Sequence, residues 1–73
     1  MCLAVPLRIK TRSGDMAEAG DETLRRKISL ALTPDAAEGD WVLVHAGYAI
    51  HQISEEDALE TLKLLEELGE SNG

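Results

Sequence analysis

The chain has 73 residues, carries 14 Asp and Glu against 7 Lys and Arg for a formal net charge of -7, and contains one cysteine. That length has room for a single domain with a modest core, and a lone thiol excludes an internal disulfide framework. The acidic balance repels phosphate backbones, and with Trp41 and Tyr48 as the only aromatic residues a base-stacking surface is disfavoured.

Residues 3–10 alternate, with Leu3, Val5, Leu7 and Ile9 on one face and Ala4, Pro6, Arg8 and Lys10 on the other, the period of a half-buried strand. Pro6 cannot donate a ladder hydrogen bond, which places this strand at a sheet edge or beside a bulge. Ser13-Gly14-Asp15 predicts a turn, followed by a short strand over Met16–Ala19 and a second turn at Gly20-Asp21 that forms a hairpin with the next strand. From Thr23 to Leu32 the residues Leu24, Ile28, Leu30 and Leu32 share one face, opposite Arg25, Lys27 and Ser29. Arg26 falls on the apolar face and marks a bulge, a register change or a point where the strand leaves the core. Residues 33–40 are bounded by Pro34 and Gly39 and read as a loop, with room for one helical turn capped by Thr33.

Trp41, Val42, Leu43 and Val44 are apolar on both faces, as expected of a central strand covered on two sides. Gly47 permits a bend, and Tyr48–Ile53 supplies a fifth strand, with Tyr48 and Ile50 opposite Ala49, His51 and Ile53. Five short strands with tight turns predict a small, partly closed antiparallel barrel. The period then changes. Ser54 is an N-cap, and Glu55, Glu56 and Asp57 place negative charge in the first turn of a helix. Ala58, Leu62, Leu65 and Leu68 form its apolar stripe, Leu59 and Leu64 widen it, and Gly69 is the expected stop. Either the whole stripe is buried or Leu59 and Leu64 help a partner dock. The expected organisation is thus one domain over 1–73, with a barrel over 1–53, a helix over 54–69 and a flexible tail over 70–73.

Three side chains are candidates for chemistry. Cys2 precedes the first core position; it is either one more small apolar strand residue or an available thiol. To act as ligand or nucleophile it needs a neighbouring cation, imidazole or metal to favour the thiolate, and Arg8 and Arg26 are candidate cations. His45 and His51 both alternate with apolar residues, as hydrogen-bonded structural histidines do. His45 is favoured because it ends the central strand just before Gly47. There is no CxxC or HxxxH spacing, which argues against a closed zinc site. The chain is able to lend one thiolate and one imidazole to a soft metal whose other positions are filled elsewhere. No segment approaches the roughly 18 apolar residues of a membrane span. Lys10 and Arg12 follow the first apolar stretch, unlike the basic start of a secretory signal. A cytoplasmic protein with a reduced thiol is therefore expected.

The start Met1-Cys2-Leu3-Ala4-Val5-Pro6, the segment Gly39-Asp40-Trp41-Val42-Leu43-Val44-His45-Ala46-Gly47-Tyr48-Ala49-Ile50 and the tail Glu55-Glu56-Asp57-Ala58-Leu59-Glu60-Thr61-Leu62 together resemble the HypC/HupF family of hydrogenase maturation chaperones. The resemblance spans nearly the whole chain. It implies an OB-like barrel with a C-terminal helix, no enzymatic activity and no permanent cofactor. The partners it implies are a HypD-type scaffold protein and the precursor of a nickel-iron hydrogenase large subunit. The cargo is an iron carrying cyanide and carbon monoxide ligands. The family's essential thiol maps onto Cys2, which becomes the terminus once Met1 is removed, and its motif histidine maps onto His45. The resemblance thus makes Cys2 and His45 the metal-binding residues and Cys2, Leu3, Ala4, Val5 and Pro6 the partner-binding segment. Where the family commonly has glycine after Pro6, this chain has Leu7.

Two other readings compete. A small nucleic-acid-binding barrel needs a basic groove, for which Arg8, Lys10, Arg12, Arg25, Arg26 and Lys27 would have to cluster across adjacent first and third strands. Alternatively, a terminal Cys2 serves as a nucleophile with its own amino group as base, although the chain offers little from which to build a substrate cleft.

Overall fold

The computed structural model describes residues 4–20 and 23–72, with side chains described as far as Glu67. Its elements are β1 (Val5–Ser13), β2 (Met16–Gly20), β3 (Arg25–Ser29), β4 (Trp41–His45), β5 (Tyr48–Ile53) and α1 (Glu55–Asn72). The strands close into a barrel in the order β1-β2-β3-β5-β4, with β4 returning to β1. The expected mainly β fold, an OB-like barrel with a C-terminal helix, is therefore what forms. All pairings are antiparallel except the seam, where Ser29 of β3 lies beside Tyr48 of β5 in a single parallel bridge. The Ser29 N–H donates to the Gly47 carbonyl at 2.9 Å there.

The interior is filled by Ile9, Ala17, Ala19, Ile28, Leu30, Ala36, Val42, Val44 and Ala49, with Leu7 packed against them. Four of these nine are alanines. A barrel of few strands has a narrow interior in which small and large side chains must be combined. Leu7, at the position where a glycine was expected, joins this interior.

β1 differs from the expectation of an edge strand. It pairs with β4 over Val5–Arg8 and with β2 from Ile9 onward, with a register shift between Ile9 and Thr11. Pro6 therefore falls in the stretch where β1 pairs with β4 alone, so a missing N–H interrupts no ladder towards β2. Pro6 is also fully buried. It shares the outer surface with Trp41 and Leu62, around a shallow cleft where α1 crosses β1 and β4.

The third strand is shorter than its apolar pattern suggests. Ile28 and Leu30 are buried, but Leu24 and Leu32, at 58% and 61% exposed, lie beyond the barrel. The register of β2 with β3 runs without a shift through Ala19 opposite Arg26. Arg26 thus marks neither a bulge nor a slip; it sits where an inward-facing row of residues runs out of the core. After β3 the chain makes three successive turns in place of a helical turn. The N–H groups of Thr33, Ala36 and Asp40 donate to the carbonyls of Leu30, Thr33 and Ala37 at 2.9, 3.0 and 3.0 Å. Ala36 is thereby driven into the core. Arg12 ties this loop to β1: its Nη1 donates to the carbonyls of Pro34, at 2.8 Å, and Ala36, and its Nε donates to Gly14 at 2.9 Å.

The helix begins as predicted. The Asp57 N–H donates to Ser54 Oγ at 3.0 Å and the Ala58 N–H to the Ser54 carbonyl at 2.9 Å. It runs through Gly69 to Asn72, past the expected stop, since an interior glycine costs a helix only about 1 kcal/mol. Ala58 is fully buried, outside the interior cluster, and Leu62 and Leu65 are half-buried; Leu59 and Leu64 face away at 53% and 59% exposed. No described helix is long and apolar enough to cross a membrane.

Two substitutions test these anchors. Arg12→Met removes the cation that holds the loop carbonyls and is expected to lower stability by about 2 kcal/mol. Ser54→Ala removes the helix cap and is expected to cost about 1 kcal/mol. Urea unfolding monitored by Trp41 fluorescence measures both.

Candidate functional site

The site is set by the pairing of β1 with β4. Val5 lies opposite Val44, so the next residues outward along the two strands are Ala4 and His45, on the same rim of the barrel. Ala4 is half-buried and Val5 partly exposed. Cys2 and Leu3, the first residues of the expected partner segment, lie outside the described residues. Within that segment Val5 is the more open residue and Pro6 is buried.

His45 is half-buried and pairs with Tyr48 across a two-residue turn formed by Ala46 and Gly47. Both turn residues have positive φ, 54° and 84°. This is the hairpin geometry that matches the twist of the flanking strands. Among the described residues Ala46 is the only non-glycine in that region of backbone space, where a side chain is disfavoured by roughly 1–2 kcal/mol. The Ser29 N–H on the Gly47 carbonyl holds the turn against β3. The imidazole is thus carried on a strand end fixed from both sides, by β1 and by the seam.

His51 occupies a different place. The register shifts between Leu43 and Val44, so Val44 faces Ala49 and Leu43 faces His51, with Ile50 inserted between. The simple alternation across Ala49, His51 and Ile53 is thereby broken: Ala49 is fully buried and His51 is exposed. His45 and His51 thus lie at different places on the barrel, His45 at the rim and His51 on the exposed face of β5. Among the described residues no group of three or more His, Cys, Asp or Glu side chains converges on a point. A metal held at His45 would have to draw further ligands from Cys2 or from another molecule.

Inside the rim lies a cleft of about 240 Å³, lined by Val5, Leu7, Leu24, Arg26, Val44 and the His45–Gly47 turn, with Lys27 and Ile28 behind. Arg26 of the two candidate cations therefore belongs to this end of the barrel. Arg8 does not, since its Nε donates to the Gly39 carbonyl at 3.3 Å on the outer surface. Sequence alone singled out Arg26 as a break in the pattern; the signal of its role was a charge on the inward-facing row.

A larger and more open groove of about 450 Å³ is lined by Thr11, Ser13, Met16, Ala17, Glu18 and Lys27. It contains neither histidine. The basic groove that nucleic-acid binding requires does not assemble, because β2 lies between β1 and β3. Arg8 and Arg12 are engaged with loop carbonyls, and Arg25 lies 3.8 Å from Glu18 in a half-exposed pair, an arrangement that contributes little to stability.

The model of the HupF/HypC family matches residues 1–65. Among similar proteins, the hydrogenase maturation factor HypC of Cupriavidus necator is 48% identical over 69 residues, covering 93% of this chain and 77% of that protein. The factor of the same name from Azotobacter chroococcum is 42% identical over 71 residues, covering 96% and 84%. That of Rhizobium leguminosarum is 40% identical over 68 residues, covering 92% and 91%.

The rim turn makes a prediction of opposite signs at adjacent positions. A Cβ on Gly47 would meet nothing within 4 Å, so Gly47→Ala is expected to cost about 1 kcal/mol from backbone conformation alone. Ala46→Gly, which relieves the same kind of disfavour, is expected to be neutral or stabilising by up to about 1 kcal/mol. Thermal unfolding of the two variants checks the pair.

Proposed function

The chain belongs to the HupF/HypC family, and on that premise we propose that it is a chaperone of nickel-iron hydrogenase maturation, acting in the cytoplasm without catalysis of its own. It binds a HypD-type scaffold protein and the precursor of the hydrogenase large subunit. Between them it helps to assemble and deliver an iron carrying cyanide and carbon monoxide ligands. Cys2 is the residue that holds the iron, and His45 is the second ligand.

The observation that carries this reading is the shared rim. Val5 faces Val44, which brings the strand leading back to Cys2 beside the strand ending at His45. Cys2 is two residues before Ala4 in sequence, a covalent separation of no more than about 7 Å, and that closeness supports reading the thiol and His45 as one site. A thiolate is a soft donor suited to low-valent iron, and an imidazole is a serviceable second ligand. Two ligands from one chain leave other coordination positions to the scaffold or the precursor. Exchange with a partner's cysteines then needs no closed cage to be dismantled, which suits custody and transfer better than storage.

The roles divide the expected effects of substitution. Cys2→Ala is expected to leave barrel and helix folded while abolishing the stable complex with the HypD-type scaffold and with the precursor. His45→Ala is expected to be milder, lowering the iron content of the scaffold complex several-fold while protein docking persists. Copurification without oxygen from a C-terminally tagged chain, with iron analysis of each complex, measures both. Wild-type complex formation by Cys2→Ala would remove the basis of the proposal.

A further inference from the structure

The rim cleft joins cationic and apolar lining residues in an otherwise acidic chain. The chain as a whole is strongly acidic, yet the charged residues among the cleft's described lining are cations, Arg26 and Lys27; of these Arg26 lies on the inward-facing row, whereas Lys27 pairs with Glu18 on the alternate face and lines the larger groove with it. Arg26 sits opposite Ala19, whose side chain is fully buried in the interior cluster. Residues paired across antiparallel strands share a face, so Arg26 belongs to the inward-facing row at the point where the row emerges from the core. The remaining walls are mostly apolar, formed by Val5, Leu7, Leu24, Ile28 and Val44.

Arg26 is exposed beside these apolar walls, where its guanidinium can offer charge-assisted hydrogen bonds to an anion. Its neighbour Arg25 has Glu18 as a partner, whereas none of the hydrogen bonds or ion pairs among the described residues engages Arg26. Arg8, the other candidate cation, is spent on Gly39. Arg26 is thus a donor facing a cleft whose rim carries His45, with its hydrogen-bonding capacity available to a bound anion.

Resting on the reading proposed above, we infer that Arg26 is the residue that recognises the cyanide ligands of the iron cargo. The nitrogen of a metal-bound cyanide carries negative charge and a lone pair that accepts hydrogen bonds, whereas the oxygen of bound carbon monoxide is a poor acceptor. A guanidinium therefore distinguishes the two, favouring a cyanide-bearing iron over one with carbonyl ligands alone. Arg26 orients the cargo at the mouth of the cleft while His45 offers a ligand from its rim, so recognition and ligation reside on separate residues.

Hexacyanoferrate(II) is a suitable probe, since its inert coordination shell presents cyanide nitrogens without giving up a position to a thiolate. It is titrated at low ionic strength into the full chain, with amide chemical shifts as the readout. The expected shifts centre on Val5, Leu24–Ile28 and Val44–Gly47. Arg26→Gln should weaken binding at least fivefold and Arg26→Lys less, while Arg25→Gln, which removes an equal charge from the neighbouring position, should keep wild-type affinity. Arg26 is exposed, so the variants should retain wild-type spectra away from the cleft. The inference is overturned if the wild-type chain does not bind the probe, if Arg26→Gln binds it as well as wild type, or if Arg25→Gln loses as much. Cys2→Ala should bind the probe normally, so failure of cyanide recognition and failure of iron delivery are read in different variants.

Discussion

The pairing of β1 with β4 is the constraint on which the molecule's usefulness rests. With Val5 opposite Val44, the barrel closes and the strand leading from the N-terminus runs beside the strand that ends in His45. A shift of this register by one residue would exchange the inner and outer faces of β1. Leu7 and Ile9 would leave the core, and Ala4 would no longer lie beside His45. Closure is reinforced at the opposite seam, where one parallel bridge and the Ser29 to Gly47 hydrogen bond fix the β4–β5 turn. The strand end that carries His45 is therefore held from both sides, by β1 and by the seam.

Much of this was legible in the sequence, because five strands with turn residues at Gly14, Gly20, Gly39 and Gly47 leave few ways to arrange a chain of this length. The capping serine and the acidic first turn of the helix were equally readable. What escaped reading depended on contacts between distant residues. Pro6 suggests an edge when seen alone, but α1 returns to cover it. Leu24 and Leu32 continue the apolar period of β3 past the ends of the barrel, where period carries no information about what lies opposite. The insertion at Ile50 breaks an alternation that looked continuous through His51. Ala36 looked like an unremarkable loop residue, yet three turns and Arg12 deliver it to the core. Gly69 signals a stop, but the helix continues through it.

Charge is distributed so that the two ends of the fold serve different purposes. The helix opens with Glu55, Glu56 and Asp57 and presents Leu59 and Leu64 away from the barrel. The rim cleft collects Arg26 and Lys27 beside apolar walls. An acidic protein with a locally basic mouth repels nonspecific anionic polymers while still accepting a small anion.

The position of the iron relative to this chain can be measured by replacing Cys2 with selenocysteine, purifying the scaffold complex without oxygen and recording X-ray absorption at the selenium edge. If Cys2 holds the cargo at the rim, the selenium spectrum contains an iron atom at bonding distance. A selenium environment of carbon alone, in a complex that nonetheless contains stoichiometric iron, would mean that the metal is held elsewhere and that the thiol has another purpose.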